Sequence, residues 1–374
     1  MMQEKRSFTL GTFILSILVA LGLVVMVIRF VNGLGAVTNL SDGRPWGLWI
    51  GLDLYCGVAL AAGGFTLAAA VYIFNLKKYH PVVRPAILTA FVGYIFVVLA
   101  LLVDLGQPWR IWHVLIHWNI HSPLFEVAWC VMTYTVVLAL EFSPAVFERF
   151  NWHVPLRIIR AIQIPLIIAG IVLSTLHQSS LGSMLLLMSP TLHALWYTPI
   201  LPILFLISAV AVGPAMVIFE SMLSTRAFGH KLSLDVLSGL GRAIPYILGL
   251  YLLVKLVDLL VAGEIGLLFT AFPQNLLWWG EIIIGVILPI ILLSRSSVRE
   301  SKGKIYWCAV LVIIGVVLNR FNVTLLALSM RPGTIYFPHW MELAISVGLI
   351  AGAILIIRQA HLFLPTVEHE EVSV

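Results

Sequence analysis

Charge is scarce in this chain: Asp, Glu, Lys and Arg make up 10% of its 374 residues, and hydrophobic residues 61%. That excludes an ordinary soluble domain, in which about a quarter of the residues are charged. Cysteine is rarer still. Cys56, Cys130 and Cys308 stand alone in separate apolar runs, and no CxxC pair exists, so the chain carries no cysteine cage for zinc or an iron–sulfur cluster. A glycine-rich nucleotide loop is also lacking, and no Gly, Ser or charge repeat marks a linker. Histidines on facing buried helices are missing too. Only His177 lies near the end of an apolar run, the others falling in loops or tails, so a bis-histidine haem is not expected. A chain without haem, cluster or nucleotide loop must take its electrons from an outer partner if it performs redox chemistry.

Long apolar runs are abundant. A membrane-crossing helix needs roughly 20 apolar residues, and ten such runs are legible: 8–31, 47–75, 85–105, 124–142, 156–177, 199–222, 243–262, 276–294, 304–327 and 340–361. They are too long and continuous for barrel strands, which alternate over about ten residues. The expected class is an all-α integral membrane protein. The first run follows Lys5 and Arg6 but lacks a small-residue cleavage site, so it reads as a retained span rather than a signal peptide. Sixteen Lys and Arg fall in the even-numbered loops and at the two ends. The odd-numbered loops hold three, Arg44, Arg110 and Arg331. Positive residues stay inside, which predicts cytoplasmic termini and a multi-pass protein of the bacterial cytoplasmic membrane. The net charge of +5 reflects this bias, and no nucleic-acid partner is expected. The tail 362–374, with Glu368, Glu370 and Glu371, is expected to be solvated and mobile.

The outward loops 105–124, 178–199 and 329–340 are long and aromatic. Trp109, Trp112, Trp118, Trp196, Tyr197 and Trp340 fit an interfacial belt. His113, His117 and His121 recur at i, i+4 and i+8. On a helix they could hold a metal, although a helix lying on the membrane or a docking surface explains them better, and no metal is expected. Pro165, Pro202, Pro214, Pro245 and Pro289 are expected to kink their helices. The small-residue run 59–65 should let another backbone approach closely. A faint repeat relates runs 2–5 to runs 6–9. It suggests two four-helix bundles with peripheral first and last helices: 1–46 first span and outer loop, 47–198 first bundle, 199–328 second bundle, 329–374 last span and tail.

Ionisable groups inside the runs carry the functional signal, because each costs several kcal/mol in hydrocarbon. Asp53, Asp104, Glu126 and His177 occupy four successive runs. Asp53 lies seven residues past Trp46, about 10 Å inward at ~1.5 Å per residue. Asp104 and His177 end their helices outside and Glu126 starts its own, so all four can approach one outward cavity. A quinone headgroup needs this mixture: a donor for one carbonyl, a carboxyl to relay protons, and apolar walls for the tail. Interfacial placement or helix pairing is the plainer alternative. Lys255, Asp258, Glu281 and Arg320 form a second set. Lys255 and Asp258, three apart, can pair on one helix face, leaving either a structural brace or a proton relay. Glu126, Cys130 and Tyr134 share one face of a helix that also carries Glu141, a candidate proton route from the cytoplasm.

The segments "GRPWGLWIGLDL", "GGFTLAAAVYIF", "YHPVVRPAIL", "SPLFEVAWCVMTY", "LEFSPAVFERF", "LSTLHQSSLGSM" and "YFPHWMELAIS" resemble the NrfD/PsrC family over nearly the whole chain, and most of all its ten-span HybB-type branch from periplasmic nickel–iron hydrogenase-2 complexes. The resemblance implies a quinone-reactive membrane subunit without its own haem or cluster. It would exchange electrons between menaquinone or ubiquinone and a docked, ferredoxin-like iron–sulfur subunit on the periplasmic side, which connects to the large and small hydrogenase subunits or to another oxidoreductase. The family places the quinone near the outer face of the first bundle, where Asp53, Asp104, Glu126 and His177 converge, with Glu126, Tyr134, Glu141, Lys255, Asp258, Glu281 and Arg320 left for proton handling. Membrane lipids are the remaining partners. Relatives serve polysulfide reductases and molybdopterin enzymes as well. The competing reading from the residues alone is a secondary ion or proton transporter, which ten spans, a repeat and buried charges permit.

Overall fold

The computed structural model describes residues 9–187, 191–229, 233–328 and 336–365. Lys5, Arg6, Lys231, Arg331 and the acidic tail with Glu368, Glu370 and Glu371 lie outside them. The chain is an all-α membrane protein. Among the described residues, helices long and apolar enough to cross a membrane number ten: span 1 (Leu10–Asn32), span 2 (Trp49–Ile73), span 3 (Lys77–Asp104), span 4 (Pro123–Arg149), span 5 (Gln163–Leu186), span 6 (Leu201–Phe228), span 7 (Leu234–Val261), span 8 (Gln274–Ser294), span 9 (Lys302–Leu326) and span 10 (Trp340–Phe363). Two isolated bridges, Ser41 with Arg44 and Leu192 with Leu328, are the β-type pairings among these residues.

Hydropathy locates the runs well but misplaces the ends of span 5. Residues 153–161 form a separate short helix, in which Arg157 and Arg160 stand against exposed Val154 and Ile158, the pattern of a helix lying in a membrane interface. Span 5 then runs on through "QSSLGSMLL" to Leu186. Those polar residues suit a loop, yet they bond within the bundle: buried Gln178 donates from Nε2 to the Val58 carbonyl at 2.9 Å, its Oε1 lacking a partner, and buried Ser180 donates from Oγ to Glu126 at 2.6 Å. His177 therefore sits nine residues inside the helix end, not at it. The prolines also divide. Pro214 and Pro245 are helix-internal, and Pro289 lies inside span 8 directly after its π-helical turn 283–287, whereas Pro202 occupies a first turn, where no backbone donor is lost. Pro165 is the third residue of its helix.

Lipid offers no hydrophobic drive for helices to associate, so close contact of small residues has to supply it. Span 2 threads between spans 3 and 6: a Cβ on Gly63 would meet Val217 at 3.2 Å, and one on Gly64 would meet Ala90 at 2.9 Å. The small-residue run thus serves packing. Gly285 of span 8 and Gly315 of span 9 bring their backbones into direct contact, as do Gly22 of span 1 and Gly348 of span 10. Spans 2–5 pack in succession and so do spans 6–9. Span 6 also packs on spans 2 and 5, and span 9 on span 2, while spans 1 and 10 pair and lean on span 3.

Candidate functional site

The first four predicted residues are held by separate sets of partners. Asp53 is buried, and its Oδ2 accepts from Ser346 Oγ of span 10 at 2.6 Å. Asp104, at the end of span 3, is within electrostatic reach of Asp53, Arg29 and Glu342. Arg29 is buried and donates from Nε to the Val103 carbonyl at 2.5 Å and from Nη2 to the Leu105 carbonyl. It thereby closes the carboxyl end of span 3, where orphan carbonyls and a cation suit each other. Glu342 is fully buried and its carboxylate is saturated: Asn39 N and His339 N donate to Oε1 at 3.0 Å each, and Tyr336 Oη donates to Oε2. Burial and this bond both push the Tyr336 phenol above its ordinary range. Arg44 caps the group from the preceding loop, donating to the Leu325 carbonyl and lying 5.6 Å from the Tyr336 ring centre. Its Nε and Nη1 are buried without a partner, and desolvation lowers its pKa.

His177 is fully buried, with Nδ1 2.9 Å from the Tyr94 hydroxyl and Nε2 without a partner. Tyr134 meets Tyr94 edge-on at 4.7 Å between ring centres, and Ser174 reaches both phenols. Glu126 is exposed in the first turn of span 4, where a carboxylate suits the helix dipole. It accepts from Ser180, one turn outward of His177. Glu141 lies two turns beyond Tyr134 at the Lys/Arg-rich end of the same helix. The four predicted residues thus form two groups, Asp53 with Asp104 and His177 with Glu126, rather than one ring.

The second set condenses around Glu281. Lys255 pairs with Glu281, not with Asp258. The same carboxylate accepts from Trp196 Nε1 at 3.1 Å, Asn319 Nδ2 at 3.2 Å and Asn322 Nδ2 at 2.7 Å. Asn319 Oδ1 in turn accepts from Arg320 at 2.7 Å, so one amide joins the ion pair to the second cation. Arg320 also donates to Ser208 Oγ at 2.8 Å and lies 3.7 Å from the Phe205 ring centre. Asp258 stands apart and accepts from Thr198 at 2.7 Å. Cavities of about 10 and 20 Å3 flank the network, each near the size that holds one water. Trp196, expected in the interfacial belt, is buried and serves Glu281 instead, whereas Trp109, Trp112, Trp118 and Trp340 are exposed.

Sequence reasoning missed Arg29, Arg44, Glu342, Asn319, Asn322 and Glu220, which Thr89 hydrogen-bonds inside the bundle. Arg29, Glu220 and Glu342 carry the very signal used for the others, a charge within an apolar run. The two asparagines carry none, since neutral amides are common helix-packing groups. The His113, His117 and His121 stripe is cut short: the helix there is the single turn His113–Ile116, and His113 and His117 lie with ring centres 5.2 Å apart. Among the described residues no group of metal-ligating side chains is assembled.

Known proteins share this sequence over most of its length. Residues 36–330 match the family "Polysulphide reductase, NrfD". A protein of Nitratidesulfovibrio vulgaris, described only as "Protein", is 42% identical over 366 residues, covering 95% of this chain and 94% of its own. The probable Ni/Fe-hydrogenase 2 b-type cytochrome subunit of Escherichia coli is 35% identical over 89% of this chain and 86% of its own. The menaquinone reductase integral membrane subunit of N. vulgaris is 31% identical over 91% and 87%. The name of the E. coli relative refers to haem. A bis-histidine haem needs two buried histidines on facing helices; His177 is the one fully buried histidine among the described residues, and no second one stands opposite it there.

Proposed function

This chain belongs to the NrfD family, and on that premise we propose that it is the quinone-reactive membrane subunit of a respiratory oxidoreductase complex in the bacterial cytoplasmic membrane, with both termini cytoplasmic. An H2:quinone oxidoreductase is the complex the relatives favour. The names of two relatives, a hydrogenase subunit and a menaquinone reductase subunit, support the class. The Lys/Arg-poor ends of the spans would face a periplasmic iron–sulfur subunit that carries electrons between the quinone and the catalytic subunits.

The single observation that carries the reading is the buried His177–Tyr94 pair, joined to an exposed carboxylate through one turn of helix. Reducing a quinone to a quinol consumes two electrons and two protons, so the site must deliver protons to oxygens inside a low-dielectric bundle. Glu126, exposed at the start of span 4, would exchange protons with water, and Ser180 donates to it. His177 and Tyr94 share a proton at the depth below it, and His177 Nε2, buried without a partner, is the nitrogen left to face a headgroup oxygen. Asp53, bonded by Ser346, and Asp104, in the field of Arg29, form the second proton-bearing group. Tyr134 and Glu141 continue the His177 side toward the Lys/Arg-rich face and would draw protons from the cytoplasm. The Lys255, Glu281 and Arg320 network, with Asp258 at its edge, is the candidate relay of the second bundle.

The test uses the intact complex. His177→Ala and Asp104→Asn are expected to abolish turnover with a menaquinone analogue while the catalytic subunit still reacts with a soluble dye. Quinone turnover surviving in both variants would sink the site.

A further inference from the structure

A cavity of about 200 Å3 opens at the Lys/Arg-rich ends of spans 2–5, lined among others by Tyr72, His80, Arg84, Glu141, Arg160 and Gln163. It is an order of magnitude larger than the single-water cavities beside Lys255. Two guanidiniums line it, and both bond Glu148, which stands beside the cavity. Arg84 grips Glu148 with two parallel bonds of 2.9 and 3.1 Å, and Arg160 adds a third of 3.0 Å. The Arg160 side chain keeps 60% of its surface exposed. Glu141 lies seven residues before Glu148 on span 4, hence about 10 Å deeper at ~1.5 Å per residue. Gln163 donates to the Tyr72 hydroxyl across the opening at 3.4 Å. The cavity thus carries net positive charge at the mouth and a carboxylate on its inner wall.

The rim is built for lipid. Arg160 stands on the amphipathic helix 153–161, whose Val154 and Ile158 are exposed. Ile73, Phe74 and Ile164, on the elements flanking the cavity, are exposed as well. An apolar chain can lie on these side chains while its headgroup enters the cavity, the arrangement by which basic pockets between helices on the cytoplasmic side recognise lipid phosphates.

We propose that this cavity binds the headgroup of a phospholipid with a primary ammonium, its phosphate held by Arg160 and Arg84 and its ammonium by Glu141. The order of charges selects the class. A wholly anionic headgroup would set its second negative charge or its hydroxyls against Glu141, and a quaternary ammonium has no hydrogen to donate to that carboxylate. The proposal does not rest on the quinone reading, although Glu141 figures in both, because its readout is bound lipid and not turnover.

The experiment is native mass spectrometry of the full chain in mild detergent, exchanged in turn against phosphatidylethanolamine, phosphatidylglycerol and phosphatidylcholine. The wild type is expected to retain one phosphatidylethanolamine in preference to the other two. Glu141→Gln, nearly isosteric, is expected to bring phosphatidylethanolamine down to the level of phosphatidylcholine. Arg160→Gln, on an exposed side chain, is expected to lower retention of both by roughly fivefold. Melting temperatures equal to wild type establish that both variants are folded. Equal retention of phosphatidylglycerol or phosphatidylcholine by the wild type, or unchanged phosphatidylethanolamine in both variants, would overturn the assignment. Displacement of the lipid by millimolar inorganic phosphate would overturn it too, since the cavity would then be a free-anion site.

Discussion

At the scale of single residues, the molecule keeps Glu281 and Glu342 in its interior by saturating them. Glu281 receives a lysine, an indole and two amides, and Glu342 two backbone donors and a phenol. Removing one partner of such a network costs more than the network is worth, because the survivors stay buried without a bond. Glu281→Ala strands Lys255 and three neutral donors together, whereas Lys255→Ala leaves the carboxylate with its three neutral donors. Thermal unfolding in detergent should therefore rank Glu281→Ala as the more damaging, with a loss of about 3–5 kcal/mol for the broken buried pair. A Lys255→Ala melting point below that of Glu281→Ala would contradict the ranking. The charged members were legible in the sequence because a charge in an apolar run is conspicuous. Their partners were not: Lys255 has Asp258 three residues away, the arrangement that suggests a local pair, and only the packing of spans 7 and 8 turns it to Glu281.

At the scale of elements, π-helical turns recur where the polar groups stand. Residues 49–56 hold Asp53, residues 283–287 follow Glu281, and residues 322–326 begin with Asn322. Such wider turns shift the face that a helix presents and cluster at functional positions; no composition signal announces them. The crossing of spans 8 and 9 at Gly285 and Gly315 has the opposite character, since it admits no side chain at all. Gly285→Ala is expected to lower the melting temperature, because the added methyl must push the two backbones apart. Gly249→Ala on span 7, where a Cβ meets nothing within 4 Å, should be neutral or stabilising by up to about 1 kcal/mol from helix propensity alone. Equal effects at the two glycines would show that the contact does not matter.

At the scale of the whole molecule, the bias of Lys and Arg between the two faces sets the orientation. The three native cysteines are buried, so single introduced thiols report topology against a low background. Trp118→Cys is expected to react with a membrane-impermeant maleimide from the periplasmic side of intact cells, and Arg157→Cys only after the inner face is opened. Labelling of Arg157→Cys in intact cells would invert the orientation and move the lipid cavity and the quinone site to the wrong faces.

The all-α class, the ten crossings and the set of candidate charges followed from the sequence, because hydrocarbon imposes its rule on every residue independently: long apolar runs span, and charges inside them are conspicuous. The positions of span ends, the division of Asp53 and Asp104 from His177 and Glu126, the choice of Glu281 as partner of Lys255 and the burial of Trp196 were decided by tertiary structure alone. Each depends on which helix faces which, and a polar residue's cost is set by partners hundreds of positions away, as Ser346 is 293 positions from Asp53.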